Sequence, residues 1–135
     1  MEEQIEKKIL IKNWLKKSAT ALKDAQKNID IKSYETAQNR LYYAIFYAVS
    51  ALAKSENYAT AKHAQLLGWF NFNYIKTNKV NREIAAVYRI AFENRQKSDY
   101  TISYIINKKE LQQDIYKAQS FISEVKKILK ENKSI

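Results

Sequence analysis

At 135 residues the chain is long enough for one domain with a real core and too short for two cores with a linker, so a single domain over 1–135 is expected. One glycine and no proline, against usual frequencies of about 7% and 5%, remove most of the residues that make tight turns and strand hairpins, which leaves an all-α chain with short connections. Absence of cysteine and a single histidine exclude a disulfide framework and a thiolate metal site, and no metal or cofactor is expected; the net charge of +10, spread along the chain, suits nucleic acid or nucleotides as well as solubility.

The opening "MEEQIEKKIL" is acidic where an export signal would be basic, and its apolar residues are periodic instead of continuous. The most apolar run, "LYYAIFYAVSALA" at 41–53, is far shorter than the roughly 18 residues of a membrane span. A cytoplasmic protein without membrane association is the expectation.

Apolar spacing near 3.6 gives five helices, an up-and-down bundle. In the first, from about Glu3 to Asn28, Leu10, Trp14, Ala21, Leu22, Ala25 and Ile29 share a face, and Lys8, Lys12, Lys16, Lys23 and Lys27 form a solvated stripe opposite. The second starts at Ser33, a candidate N-cap, or Tyr34 and ends near Lys54. Leu41 to Ala53 is apolar nearly all round, so part of it should face a second subunit or a ligand cleft once the bundle has covered the rest. On one flank Arg40, Tyr43, Tyr47 and Ser50 carry polar tips, which either reach local acceptors from a packed core or line a polar cleft.

The third helix is read from about Thr60, a candidate N-cap, to Tyr74. His63 joins Leu66, Leu67, Phe70 and Tyr74 along one side, and in the first turn the helix dipole should favour its neutral form. "KTNKVN" at 76–81 is a loop whose Asn81 caps the fourth helix. Asn107 and Glu110 have capping-box spacing for the fifth, where Leu111, Ile115, Ala118, Ile122, Val125 and Leu129 make a core stripe.

"ENRQKSDY" at 93–100 breaks this pattern. Ile84, Tyr88, Ala91 and Arg95 are spaced by four, three and four, so Arg95 sits about 20° from Ile84, inside the apolar stripe, with Asp99 four residues on. A charge there needs a partner. One account is a structural Arg95–Asp99 pair, whose loss would cost about 3–5 kcal/mol if buried. The other is a cleft in which the planar fork of Arg95 grips a phosphate.

Taken in order, "RLYYAIFYAVSALA" (40–53), "KHAQLLGWFNFNYIKTNKV" (62–80) and "AFENRQKSDY" (91–100) resemble the HEPN family, named for higher eukaryotes and prokaryotes nucleotide-binding. Its members carry an Arg or Ser and Tyr-Tyr-Ala in the second helix, a His before Leu and Phe of the third, and Arg followed by Asp-Tyr in the fourth. The resemblance implies a homodimer with a cleft lined by the second and fourth helices, often encoded beside a minimal nucleotidyltransferase and in some cases forming a toxin–antitoxin pair.

Ribonuclease members of the family cut RNA without metal, using an Arg, a polar residue after it and a His four to six residues beyond. Arg95 and Gln96 match the first two; Tyr100, Thr101 and Ile102 stand where the histidine would be. Tyr100, Asp99 or His63 is left to support an altered catalytic site. Three readings follow: an RNA- or nucleotide-binding protein using Arg40, Tyr43, Tyr47, His63, Arg95, Gln96 and Asp99; a metal-independent endoribonuclease toxin centred on Arg95 with Tyr100; and an interaction bundle without ligand.

Overall fold

The computed structural model describes residues 1–100 and 104–135, with the side chain of Tyr100 outside that description. Five α-helices follow one another: α1 Glu2–Asp30, α2 Tyr34–Ser55, α3 His63–Phe70, α4 Arg82–Tyr100 and α5 Lys108–Glu131. Among the described residues there is no strand, and no helix is long and apolar enough to cross a membrane. The all-α bundle read from composition and spacing is the observed architecture.

With glycine absent from the corners, Lys32 (φ 64), Asn57 (φ 59), Asn78 (φ 56) and Lys133 (φ 62) take the left-handed conformation that ends a helix. Asn tolerates it through its short polar side chain; Lys bears the Cβ crowding unaided. At the first corner the amides of Lys32 and Ser33 return to the carbonyls of Ile29 (2.9 Å) and Asn28 (2.7 Å), closing α1 and starting α2 within a few residues. Ser33 occupies the N-cap position of α2, but its side chain makes no capping hydrogen bond. The two asparagine caps form: Asn81 Oδ1 accepts from Glu83 N (2.8 Å) and Asn107 Oδ1 from Glu110 N (3.0 Å).

α2 is the centre of the bundle and packs against α1, α3, α4 and α5. Against α1 the approach is close because both faces are small: Ser18, Ala21 and Ala25 on one helix, Ala37, Ala44, Ala48 and Ala51 on the other, all buried. Ser18 fixes the register by donating its hydroxyl to the Ala44 carbonyl at 2.6 Å. The bundle covers most of the circumference that the sequence leaves open to a partner. Within Leu41–Ala53 the positions left half-buried are Tyr43, Phe46, Tyr47 and Ser50.

Two expectations need correcting. In α1 the inward position is Ile11, fully buried, while Leu10 is exposed together with Ile5 and Ile9; the spacing alone does not separate adjacent residues at a stripe's edge. The third helix starts at His63, not after Thr60: the Thr60 hydroxyl accepts from Lys62 N (3.1 Å) and donates to Gln65 Oε1 (2.7 Å), bracing the preceding loop. α3 then widens into one π-helical turn, Asn71–Ile75. The wider turn keeps Tyr74 buried and stacked on Phe70, with centroids 5.3 Å apart. The α5 stripe is buried as read, with Phe121 added.

If α1 and α2 touch through alanine, enlarging one contact must push the helices apart. Ala48→Leu is expected to lower stability by about 1–3 kcal/mol, read as a lower urea midpoint with an unchanged slope.

A cation–aromatic cluster as candidate functional site

Arg95 comes from the C-terminal part of α4, where the stripe of Tyr88 and Ala91 delivers it against α2. Its guanidinium carbon lies 4.6 Å over the Tyr42 ring and 5.7 Å from that of Tyr43, and Nη1 donates to the Tyr43 hydroxyl at 3.2 Å. Cation–π attraction partly replaces lost water and contributes most when the pair is desolvated. The Arg95 side chain retains 17% exposure.

The Arg95–Asp99 pair of the structural account is present but loose. Nε and Oδ2 are 3.8 Å apart, beyond hydrogen-bond reach, and Asp99 is 48% exposed. Nε itself is buried without a hydrogen-bond partner among the described residues. The tyrosine rings, more than the carboxylate, account for how a cation lies in an apolar stripe.

His63, the first residue of α3, enters the same cluster from the other side. Its Nδ1 shares a 2.8 Å hydrogen bond with the Tyr42 hydroxyl, and its ring stacks on Phe46 with centroids 4.2 Å apart. Tyr42 and Tyr43 are thus common neighbours of Arg95 and His63, both rings having centroids 5.7 Å from that of His63. Burial lowers the His63 pKa, and the Arg95 charge lowers it further. The direction agrees with the sequence expectation, but these causes replace the helix dipole. Burial also raises the Tyr42 hydroxyl far out of the physiological range, the Arg95 charge opposing it only in part. A neutral imidazole and a neutral phenol sharing one hydrogen bond can exchange donor and acceptor roles, which leaves Nε2 either as donor or as proton acceptor.

Other residues singled out in the sequence lie along the same side of α2. Arg40 covers the outer part of the Tyr43 ring at 5.0 Å and donates to Asn39 Oδ1 through Nε (3.2 Å) and Nη2 (2.9 Å). Tyr47 stacks on Trp14 of α1, centroids 5.7 Å apart, with Lys17 Nζ over both rings. Gln96 is exposed at the next position of α4. Tyr100, through its side chain, and Ile102 lie outside the described residues. No group of three or more potential metal ligands occurs among those described.

Tyr42 is the residue the sequence reading passed over. Its position among Leu41, Ile45 and Leu52 makes it look like plain core, and the only signal was the doublet "YY", in which one ring must point inward while its neighbour stays at the edge.

Two outcomes are expected. The His63 ring signals should titrate with a midpoint below about 6.5, and Arg95→Ala should raise that midpoint. Between the lowered and the ordinary pKa the unfolded chain binds more protons than the fold, so stability should fall as pH drops through that interval, and His63→Gln should flatten the fall. Separately, Asp99→Ala should change stability by under about 1 kcal/mol, because the pair is half in water; thermal melts distinguish this from the larger loss of a buried pair.

Comparison with known proteins gives the family of the chain. The HEPN domain family profile matches residues 11–129. A UPF0332 protein of Thermotoga maritima is 33% identical over 128 residues, covering 95% of this chain and 97% of its own. Two proteins of Methanocaldococcus jannaschii that bear the name "putative toxin" are 30% and 31% identical, covering 85% and 74% of this chain and 78% and 74% of their own. With the family profile spanning nearly all of the helical bundle, the chain belongs to the HEPN domain family.

Proposed function

We propose that the protein is a toxin-like HEPN protein that binds the phosphate of RNA or a nucleotide at Arg95, as a homodimer acting beside a minimal nucleotidyltransferase. The observation that carries the reading is Arg95 itself: a guanidinium largely withdrawn from water, oriented by two tyrosine rings, with a buried Nε that no described acceptor satisfies. A planar, pre-oriented fork of this kind matches two phosphate oxygens, and its entropy is already spent before a ligand arrives. Arg40 and the +10 net charge add attraction for polyanions. The half-buried strip of α2 next to Arg95 suits a cleft shared by two copies, and the toxin names of the Methanocaldococcus relatives support the same class of role.

A second reading, metal-independent endoribonuclease, is favoured by the placement of His63 against Tyr42 and Tyr43. With its pKa held down, His63 is a neutral base at physiological pH, able to take a ribose 2′-hydroxyl proton while Arg95 stabilises charge on the phosphate. In this reading His63 supplies what the missing fourth-helix histidine would, from another helix.

Binding of labelled single-stranded RNA in chelator, followed by anisotropy at graded salt, tests the first reading. Arg95→Ala should weaken binding by about tenfold or more, and Arg95→Lys should recover little, since the bidentate geometry is lost. Equal binding by all three proteins, or none by wild type, would sink it. For the second reading, RNA cleavage in chelator should disappear in both Arg95→Ala and His63→Ala; RNA left intact by excess protein rules cleavage out.

A further inference from the structure

Two depressions lie on either side of the Trp14–Tyr47 stack between α1 and α2. One, of about 470 Å³, is lined by Lys16, Lys17, Arg40 and Tyr47, with Asp24 as its carboxylate. The other, of about 670 Å³, has the rings of Trp14, Phe46, Tyr58 and His63 in its walls and Lys54 among its lining residues. Both volumes fall within the roughly 300–1,000 Å³ of ordinary ligand clefts.

The walls of the second depression are braced by ring-on-ring contacts. Trp14 stacks on Tyr47, Phe46 on His63, and Tyr58 lies flat on Trp69, centroids 5.2 Å apart and planes 9° from parallel. Each of Trp14, Phe46 and Tyr58 is only half-buried, so aromatic surface stays open to the cavity. Lys17 above the Trp14 and Tyr47 rings puts positive charge at the ridge between the two depressions.

We propose that these depressions form a track for single-stranded RNA, with backbone phosphate over Lys16, Lys17 and Arg40 and one unpaired base inserted among Trp14, Phe46 and Tyr58. The inference rests on the RNA-binding reading of Arg95 and deepens it by naming the strand state and a base subsite. Alternation of cations with open aromatic faces is what a flexible polyanion of stackable bases requires. A duplex must first unpair and unstack a base before it can supply one to the cavity. Phe46 joins the subsite to the Arg95 cluster, since it stacks on the same His63 that bonds Tyr42.

Trp14 serves as its own reporter once Trp69→Phe removes the second tryptophan. Single-stranded RNA of about six nucleotides should quench it, whereas an abasic ribose-phosphate oligomer of equal length should not. Trp14→Leu and Tyr58→Leu, separate variants checked for an unchanged melt so that either can stand if the other misfolds, should each weaken oligonucleotide binding by about tenfold and leave abasic binding unaltered. Equal affinity for abasic and base-bearing oligomers, or wild-type affinity in both folded leucine variants, overturns the track. If Arg95→Ala alone weakens binding, the track falls and the phosphate site stands; if the leucine variants alone weaken it, the track stands and the phosphate reading falls. Preference for duplex RNA, or binding only to a protein partner, also overturns it.

Discussion

A guanidinium held over the ring of a buried tyrosine is the contact on which this end of the molecule depends. Arg95 brings a charge from α4 to a face that the remainder of the helix uses for packing, and without the Tyr42 ring that charge would have to be hydrated. The same ring sends its hydroxyl to His63 on α3. One side chain of α2 therefore holds two other helices at fixed positions, and the two groups with most chemical capacity in the chain become neighbours through it.

That arrangement requires α2 to be central, and α2 is central because it is small where it meets α1. Alanines on both helices let the backbones approach, with Ser18 setting the register, so large side chains on the remaining faces reach α4 and the α3 segment. The π-helical turn after α3 continues this economy by returning Tyr74 to the core beside Phe70. Within Leu41–Ala53 the half-buried polar rings are Tyr43 and Tyr47, along the edge that neither α1 nor α4 fully covers.

Much of this was legible in the sequence. Helical periodicity gave the five elements, the two asparagine caps and the α5 stripe, because those depend on local spacing and backbone hydrogen bonds. The oddity of Arg95 was visible as a cation in phase with Ile84, Tyr88 and Ala91, and the Asp99 that helical spacing offered as its partner is a loose one, while the ring that the cation lies over is 53 residues earlier in the chain. The convergence of His63 and Arg95 on Tyr42 and Tyr43 was likewise hidden, since it depends on how α3 packs against α2. Thr60 failed as a cap for a different reason, because its hydroxyl found Gln65 and the helix began later.

The Arg95 charge also acts on proton binding at His63. The Arg95 cation helps to keep His63 unprotonated, so an anion that neutralises Arg95 removes part of that restraint and lets the imidazole take up a proton. Thermodynamic reciprocity then makes a proton on His63 strengthen anion binding by the same factor. An anion bound at Arg95 would in this way link occupancy of the cluster to acidity, ligand and proton favouring each other.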